Sequence, residues 1–119
     1  MSVHQFRKLT VWQRSMVFTT KIYALTSKFP RSEQFGLTDQ IRRATVSISL
    51  NIAEGSGSSS NLEFNRFLHI AKRSAYEVIT GLEISNNLRY AKDSDIKTFI
   101  TEAEEICSMI SGLISKLTS

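Results

Sequence analysis

Four basic residues recur at intervals of seven near the start of the chain: Arg7, Arg14, Lys21 and Lys28. On a helix this spacing keeps side chains on one edge, roughly 10 Å apart along the axis. A row of that pitch can meet successive phosphates of a nucleic acid, with Lys8, Arg42, Arg43, Lys72 and Arg73 in support. It can equally flank a helical core and pair with glutamates of neighbouring helices. The sequence leaves both readings open. The charge distribution bears on the choice, because residues 1–60 carry eight Lys/Arg against three Asp/Glu, while residues 61–119 carry seven against eight. The net charge of +4 therefore comes from the first half, an asymmetry suited to a polyanionic partner.

Other polar residues repeat at helical spacing. Ser47, Asn51 and Glu54 fall on one face of a helix, and Ser74 and Glu77 do the same farther along, so a hydrogen-bonded network joining them through Arg43 is expected to position two helices. General acid–base catalysis by Glu54, Glu77 or Glu83 would demand carboxylates converging in a cleft. No phosphate-binding loop, dinucleotide fingerprint, metalloprotease motif, nucleophile elbow or CxxC occurs. His4 and His69 have no second histidine or cysteine at ligand spacing, so neither a metal nor a cofactor is expected. The chain reads as a binding protein and not as an enzyme.

Cys107 is the lone cysteine, expected as a buried, inert thiol, and its solitude suits a reducing compartment. Met1 to Lys8 hold no apolar run and no stretch approaches the roughly 20 apolar residues of a membrane span, so a cytoplasmic protein without membrane contact is expected. At 119 residues the chain reads as a single domain, 1–119.

One proline and five glycines leave long uninterrupted periodic stretches, which favours helices. Thr10-Val11-Trp12-Gln13 has the form of a capping box, and the helix it opens should close before Phe29-Pro30. Its core stripe is Val11, Ser15, Phe18, Ile22, Leu25 and Phe29. Trp12, Met16, Thr19 and Tyr23 make a second, mainly apolar stripe, read either as a self-association surface with Trp12, Met16 and Tyr23 as its anchors or as a face the bundle covers itself.

Thr45 to Ile52 alternates polar and apolar residues as a strand does, yet a lone strand would leave its ladder unpaired. Ile41, Ala44, Ile48 and Ile52 give a helical face, so a helix is expected. Val46, Leu50 and Ala53 point away from that face and predict burial on more than one side, making this the most enclosed helix. Gly55 to Ser60 reads as a flexible connection. Ser60-Asn61-Leu62-Glu63 is a second capping box, followed by Phe64, Phe67, Leu68, Ala71, Ala75, Val78, Ile79 and Leu82. After the turn at Lys92 to Asp95, a fourth stripe runs from Ile96 through Phe99, Ala103, Ile106, Cys107, Ile110 and Leu113 to Leu117.

The segments Leu9-Thr10-Val11-Trp12-Gln13, Phe29-Pro30 with Glu33, Phe35-Gly36-Leu37-Thr38, Gln40-Ile41-Arg42-Arg43-Ala44, Asn51-Ile52-Ala53-Glu54-Gly55, and Phe67 to Ala71 with Ser74 and Glu77, resemble the four-helix-bundle proteins encoded in intervening sequences of 23S ribosomal RNA. The resemblance spans nearly the whole chain. It implies an all-α, antiparallel up-and-down four-helix bundle assembling into a homo-oligomeric ring, typically of five subunits. It also implies kinship with the accessory variability protein of diversity-generating retroelements, and so RNA or DNA and a nucleic-acid-processing protein as partners. The chain departs from the pattern at Arg73, where a glycine is common, and within Ser56 to Ser60, where an arginine is often found. A non-enzymatic, oligomeric nucleic-acid-binding protein is thus expected, with a protein-interaction scaffold as the alternative.

Overall fold

A computed structural model describes residues 5–119; His4 lies outside the described residues. A 3-10 turn over Gln5–Lys8 leads into helix α1, Thr10–Thr26, and a second turn over Arg31–Glu33 leads into α2, Leu37–Ser56. Helices α3, Asn61–Asn87, and α4, Asp93–Thr118, complete an all-α, up-and-down four-helix bundle about 43 Å long. Each helix packs on its sequence neighbour and α4 returns to α1. No strand forms among the described residues, so the alternation at 45–52 yields to the helical face of Ile41, Ala44, Ile48 and Ile52, all buried.

The predicted stripe of α1 is buried in full, from Val11 to Phe29. The ends of this helix differ from expectation. Thr10 is not a capping residue: Leu9 holds the cap position, and Gln13 reaches back from the first turn to donate to the Arg7 carbonyl at 2.7 Å. At the other end the helix stops at Thr26, so Lys28 lies beyond it. The Ser60 box forms as predicted in its first half, with Ser60 Oγ accepting from the Glu63 amide at 3.1 Å.

The central pair α2 and α3 share the most extensive contact, and glycine lets them approach closely at both ends. A methyl group at Gly81 would stand 2.6 Å from Ile41 Cγ1, and one at Gly55 would stand 2.7 Å from Phe67 Cβ. Gly55 and Ser56 are therefore buried helix, and the loop expected over residues 55–60 shrinks to Gly57–Ser60. Helix α2 has the largest share of buried residues of the four helices, as expected, but its second side is covered only in part: Leu50 is 61% exposed and Val46 and Ala53 are half-buried.

Candidate nucleic-acid interface

The heptad row of cations is divided by the fold. Arg14 and Lys21 face α4, where Arg14 Nη2 bonds Glu105 Oε2 at 2.7 Å and Lys21 Nζ lies 3.5 Å from Glu102 Oε1. These pairs bridge a groove of about 530 Å³ between the two helices. Flanking-charge pairing thus accounts for the middle of the row. Arg7 sits at the far end of the bundle with its guanidinium 5.5 Å from the centre of the Phe6 ring. Lys28, past the end of α1, is exposed and has no ion-pair partner among the described residues.

A different set gathers where α1 passes into α2. Arg42 donates through Nε to Thr26 Oγ1 at 2.8 Å and through Nη2 to the Tyr23 carbonyl at 3.2 Å, with its guanidinium carbon 4.5 Å from the centre of the Tyr23 ring. Three contacts thereby hold one cation in a fixed orientation. Arg31, in the turn, is exposed without an ion-pair partner among the described residues. Arg42 and Arg31 line a depression of about 400 Å³ together with Thr26, Ser27, Gln34 and Thr38, and no carboxylate lines it.

The nearby carboxylates are already engaged. Glu33 Oε1 accepts from the Leu37 amide at 3.1 Å, capping the start of α2, and Glu33 Oε2 accepts from the Tyr90 hydroxyl at 2.7 Å. These two donors, the tyrosine first, hold the Glu33 carboxyl below the usual range, and the same bond raises the Tyr90 hydroxyl. Asp39 pairs with Arg43 at 3.1 Å one turn along α2. Lys72 and Arg73 lie on α3 without ion-pair partners among the described residues.

The predicted polar network is real but smaller. Ser74 Oγ donates to Ser47 Oγ at 2.9 Å, and Asn51 Nδ2 donates to the same hydroxyl at 3.0 Å, joining α2 to α3. Arg43 is drawn away by Asp39, and Glu54 and Glu77 are exposed with no polar partner among the described residues. Neither glutamate converges with another carboxylate in a way that would serve acid–base chemistry. A second link went unpredicted: Ser15 and Ser49 share a buried hydrogen bond of 2.8 Å between α1 and α2. Its signal was present in Ser15, a lone hydroxyl inside an apolar stripe.

Of the three proposed interface anchors, Met16 and Tyr23 are exposed at 44% and 43%. Trp12 is not. It is half-buried, packed edge-on against Phe6 with ring centres 5.2 Å apart, so the bundle covers this end of the stripe itself. Cys107 is half-buried on α4, and burial pushes its thiol up, away from the reactive thiolate. No group of three or more metal-ligating side chains forms among the described residues. No helix there is long and apolar enough to cross a membrane.

The family model described as 23S rRNA-intervening sequence protein matches residues 7–112. The chain belongs to this family. Among solved structures, the intervening sequence protein fold recurs in a Bacteroides thetaiotaomicron protein of unknown function from the S23 ribosomal protein family. That protein is 25% identical, with a TM-score of 0.82, over 88% of this chain and 98% of the other. A search of curated proteins gives no match. The motif segments singled out in the sequence from Leu9 to Glu77 all fall within the matched region. Neither comparison attaches an enzymatic activity to the fold.

Proposed function

We propose that this protein is a non-catalytic, self-associating protein that holds RNA or DNA through contacts to the phosphate backbone, with little reading of base sequence. The observation that carries the reading is the acid-free cluster where α1 meets α2. Arg31 and Arg42 line it together and Lys28 is exposed in the same connection, while Asp39 is paired with Arg43 and the Glu33 carboxylate is turned to the Leu37 amide and the Tyr90 hydroxyl. Cations without local neutralisation release counterions when they meet phosphate, which drives association and makes it depend on salt. Lys72 and Arg73 add two cations on α3, and the family's link to 23S rRNA makes RNA the first ligand to try. The family resemblance adds a homo-oligomeric ring of five subunits and a nucleic-acid-processing protein as a further partner, and a cytoplasmic setting is kept from the sequence reading.

A titration of structured RNA across salt concentrations tests the reading. Affinity should fall steeply and linearly on logarithmic axes as salt rises; binding that ignores salt, or no binding at low salt, contradicts it.

A second reading rests on Met16, Tyr23 and the neighbouring Val17, exposed together on α1. In it the surface serves a protein partner and the charge maintains solubility. A pull-down that retains one protein and no nucleic acid would favour this alternative.

A further inference from the structure

Phe35 is the most exposed large apolar residue of the described chain, at 89%. It sits in the connection between the Arg31–Glu33 turn and α2, directly after Gln34, whose side chain belongs to the acid-free depression. Leaving a phenyl ring in water forgoes the gain of burying it, so a ring held there invites a partner. The loop carrying it is well fixed. The Gly36 amide donates to the Glu33 carbonyl at 3.0 Å, the Gln34 amide donates to the Arg31 carbonyl at 3.1 Å, and Glu33 is tied to Leu37 and Tyr90. The ring thus stands on a braced platform.

What surrounds it selects the partner. The depression that Gln34, the residue before Phe35, helps to line carries two guanidinium groups, the Thr38 hydroxyl and the Gln34 amide, while the Thr26 and Ser27 hydroxyls there already donate to the Ile22 and Ala24 carbonyls. The guanidinium, Thr38 and Gln34 groups can donate hydrogen bonds, and no lining side chain carries negative charge. Arg42 is preorganised by its three contacts, and Arg31 brings an uncommitted fork of donors. Guanidinium donors around a small concavity match a phosphate, and an exposed aromatic ring one residue beyond its Gln34 edge matches an unstacked base.

We infer that the α1–α2 end of the bundle binds a single unpaired nucleotide unit, its phosphate in the Arg31/Arg42 depression and its base stacked on Phe35. The inference rests on the nucleic-acid reading above and narrows it to single-stranded segments or loops. Duplex RNA keeps its bases stacked in the helix and presents only phosphates and sugars, so Phe35 has no role in holding it.

The test compares a ten-nucleotide single-stranded RNA with a ten-base-pair duplex, on wild type, Phe35→Ala, Phe35→Trp and Arg31→Gln, with the mass of each protein measured by light scattering. Phe35→Ala should weaken single-strand binding by about tenfold or more and leave duplex binding and mass unchanged. Phe35→Trp should restore the affinity and show quenching of its added indole fluorescence on binding. Arg31→Gln should lower the salt slope by about one. Equal binding of the single strand by wild type and Phe35→Ala overturns the inference while leaving phosphate binding intact. A change of mass in Phe35→Ala overturns it too, by making the ring an anchor between subunits. Absence of binding to either RNA at low salt sinks both this inference and the reading beneath it.

Discussion

The Tyr90 hydroxyl donates to Glu33 Oε2 at 2.7 Å across 57 positions of sequence, tying the α1–α2 connection to the α3–α4 connection. The tyrosine reaches it because Arg89, two residues past the end of α3, lies in the left-handed region, φ 57°, and the Tyr90 amide returns to the Ser85 carbonyl at 3.0 Å. Its ring then packs on Phe29, with centres 5.6 Å apart. One carboxylate thereby caps α2 and braces the Phe35 platform, and it does not line the cationic depression.

This linkage predicts a pH dependence. Glu33 has a lowered pKa when folded, so its contribution to stability is present above the ordinary carboxylate range and is lost as pH falls through the lowered value. Tyr90 is raised, so its contribution is present below its ordinary value and is lost as pH climbs through the raised one. Tyr90→Phe should lower the melting temperature by a few degrees at pH 7 and flatten the acid limb. Thermal melts from pH 2 to 7 check it, and an acid limb identical to wild type would contradict the assignment. Asp93, lowered by bonds from Asn86 and Lys97, contributes an acid limb of its own that this variant leaves in place.

Gly81→Ala should destabilise the bundle by about 1–3 kcal/mol, although alanine is the better helix former, because the new methyl group collides with Ile41. In an Ile41→Ala background the same change should cost much less, or stabilise. Urea denaturation of the four proteins gives the coupling; additive effects would show that α2 and α3 do not meet closely at this point.

Ser15→Ala and Ser49→Ala should each cost on the order of 1 kcal/mol by leaving the partner hydroxyl short of a buried bond. The double variant should cost less than the sum, since both polar groups are then gone. A strictly additive double variant in chemical denaturation would argue against the shared bond.

Met16→Glu should leave the bundle folded, since Met16 contributes nothing to the core, and should reduce the mass of any self-assembled species. Light scattering paired with circular dichroism decides. An unchanged mass excludes this part of α1 as the subunit interface. Trp12 is unsuitable for the same experiment because its contact with Phe6 and the core would be lost as well.

The bundle was legible in the sequence because apolar spacing is a local record of which face is buried: every residue of the α1 stripe is in the core. Where the record is ambiguous, as at 45–52, the need to pair a lone strand decided correctly. Long-range polar choices were less legible. Arg43 belongs by spacing to the Ser47 network, yet Asp39 lies one turn away and claims it. Glu54 and Glu77 follow the same period and meet nothing, since a helical period assigns a face without saying what stands opposite. Leu50 reads as a core candidate only if something covers it, and among the described residues nothing covers it fully. The cationic row carried two meanings. The fold assigns Arg14 and Lys21 to α4 because Glu102 and Glu105 occupy matching turns there, a relation between sequence positions about 80 to 90 apart.

The decisive measurement sets two double variants side by side in RNA binding over a salt series: Lys28→Gln/Arg31→Gln at the α1–α2 end, and Arg14→Gln/Lys21→Gln in the α1–α4 seam. The first pair should lower the slope of log K against log salt by about two and weaken binding, and the second should change the slope by less than one, because its charges are already matched by Glu105 and Glu102. A larger loss from the seam pair, or no loss from the end pair, would contradict the placement of the phosphate contacts.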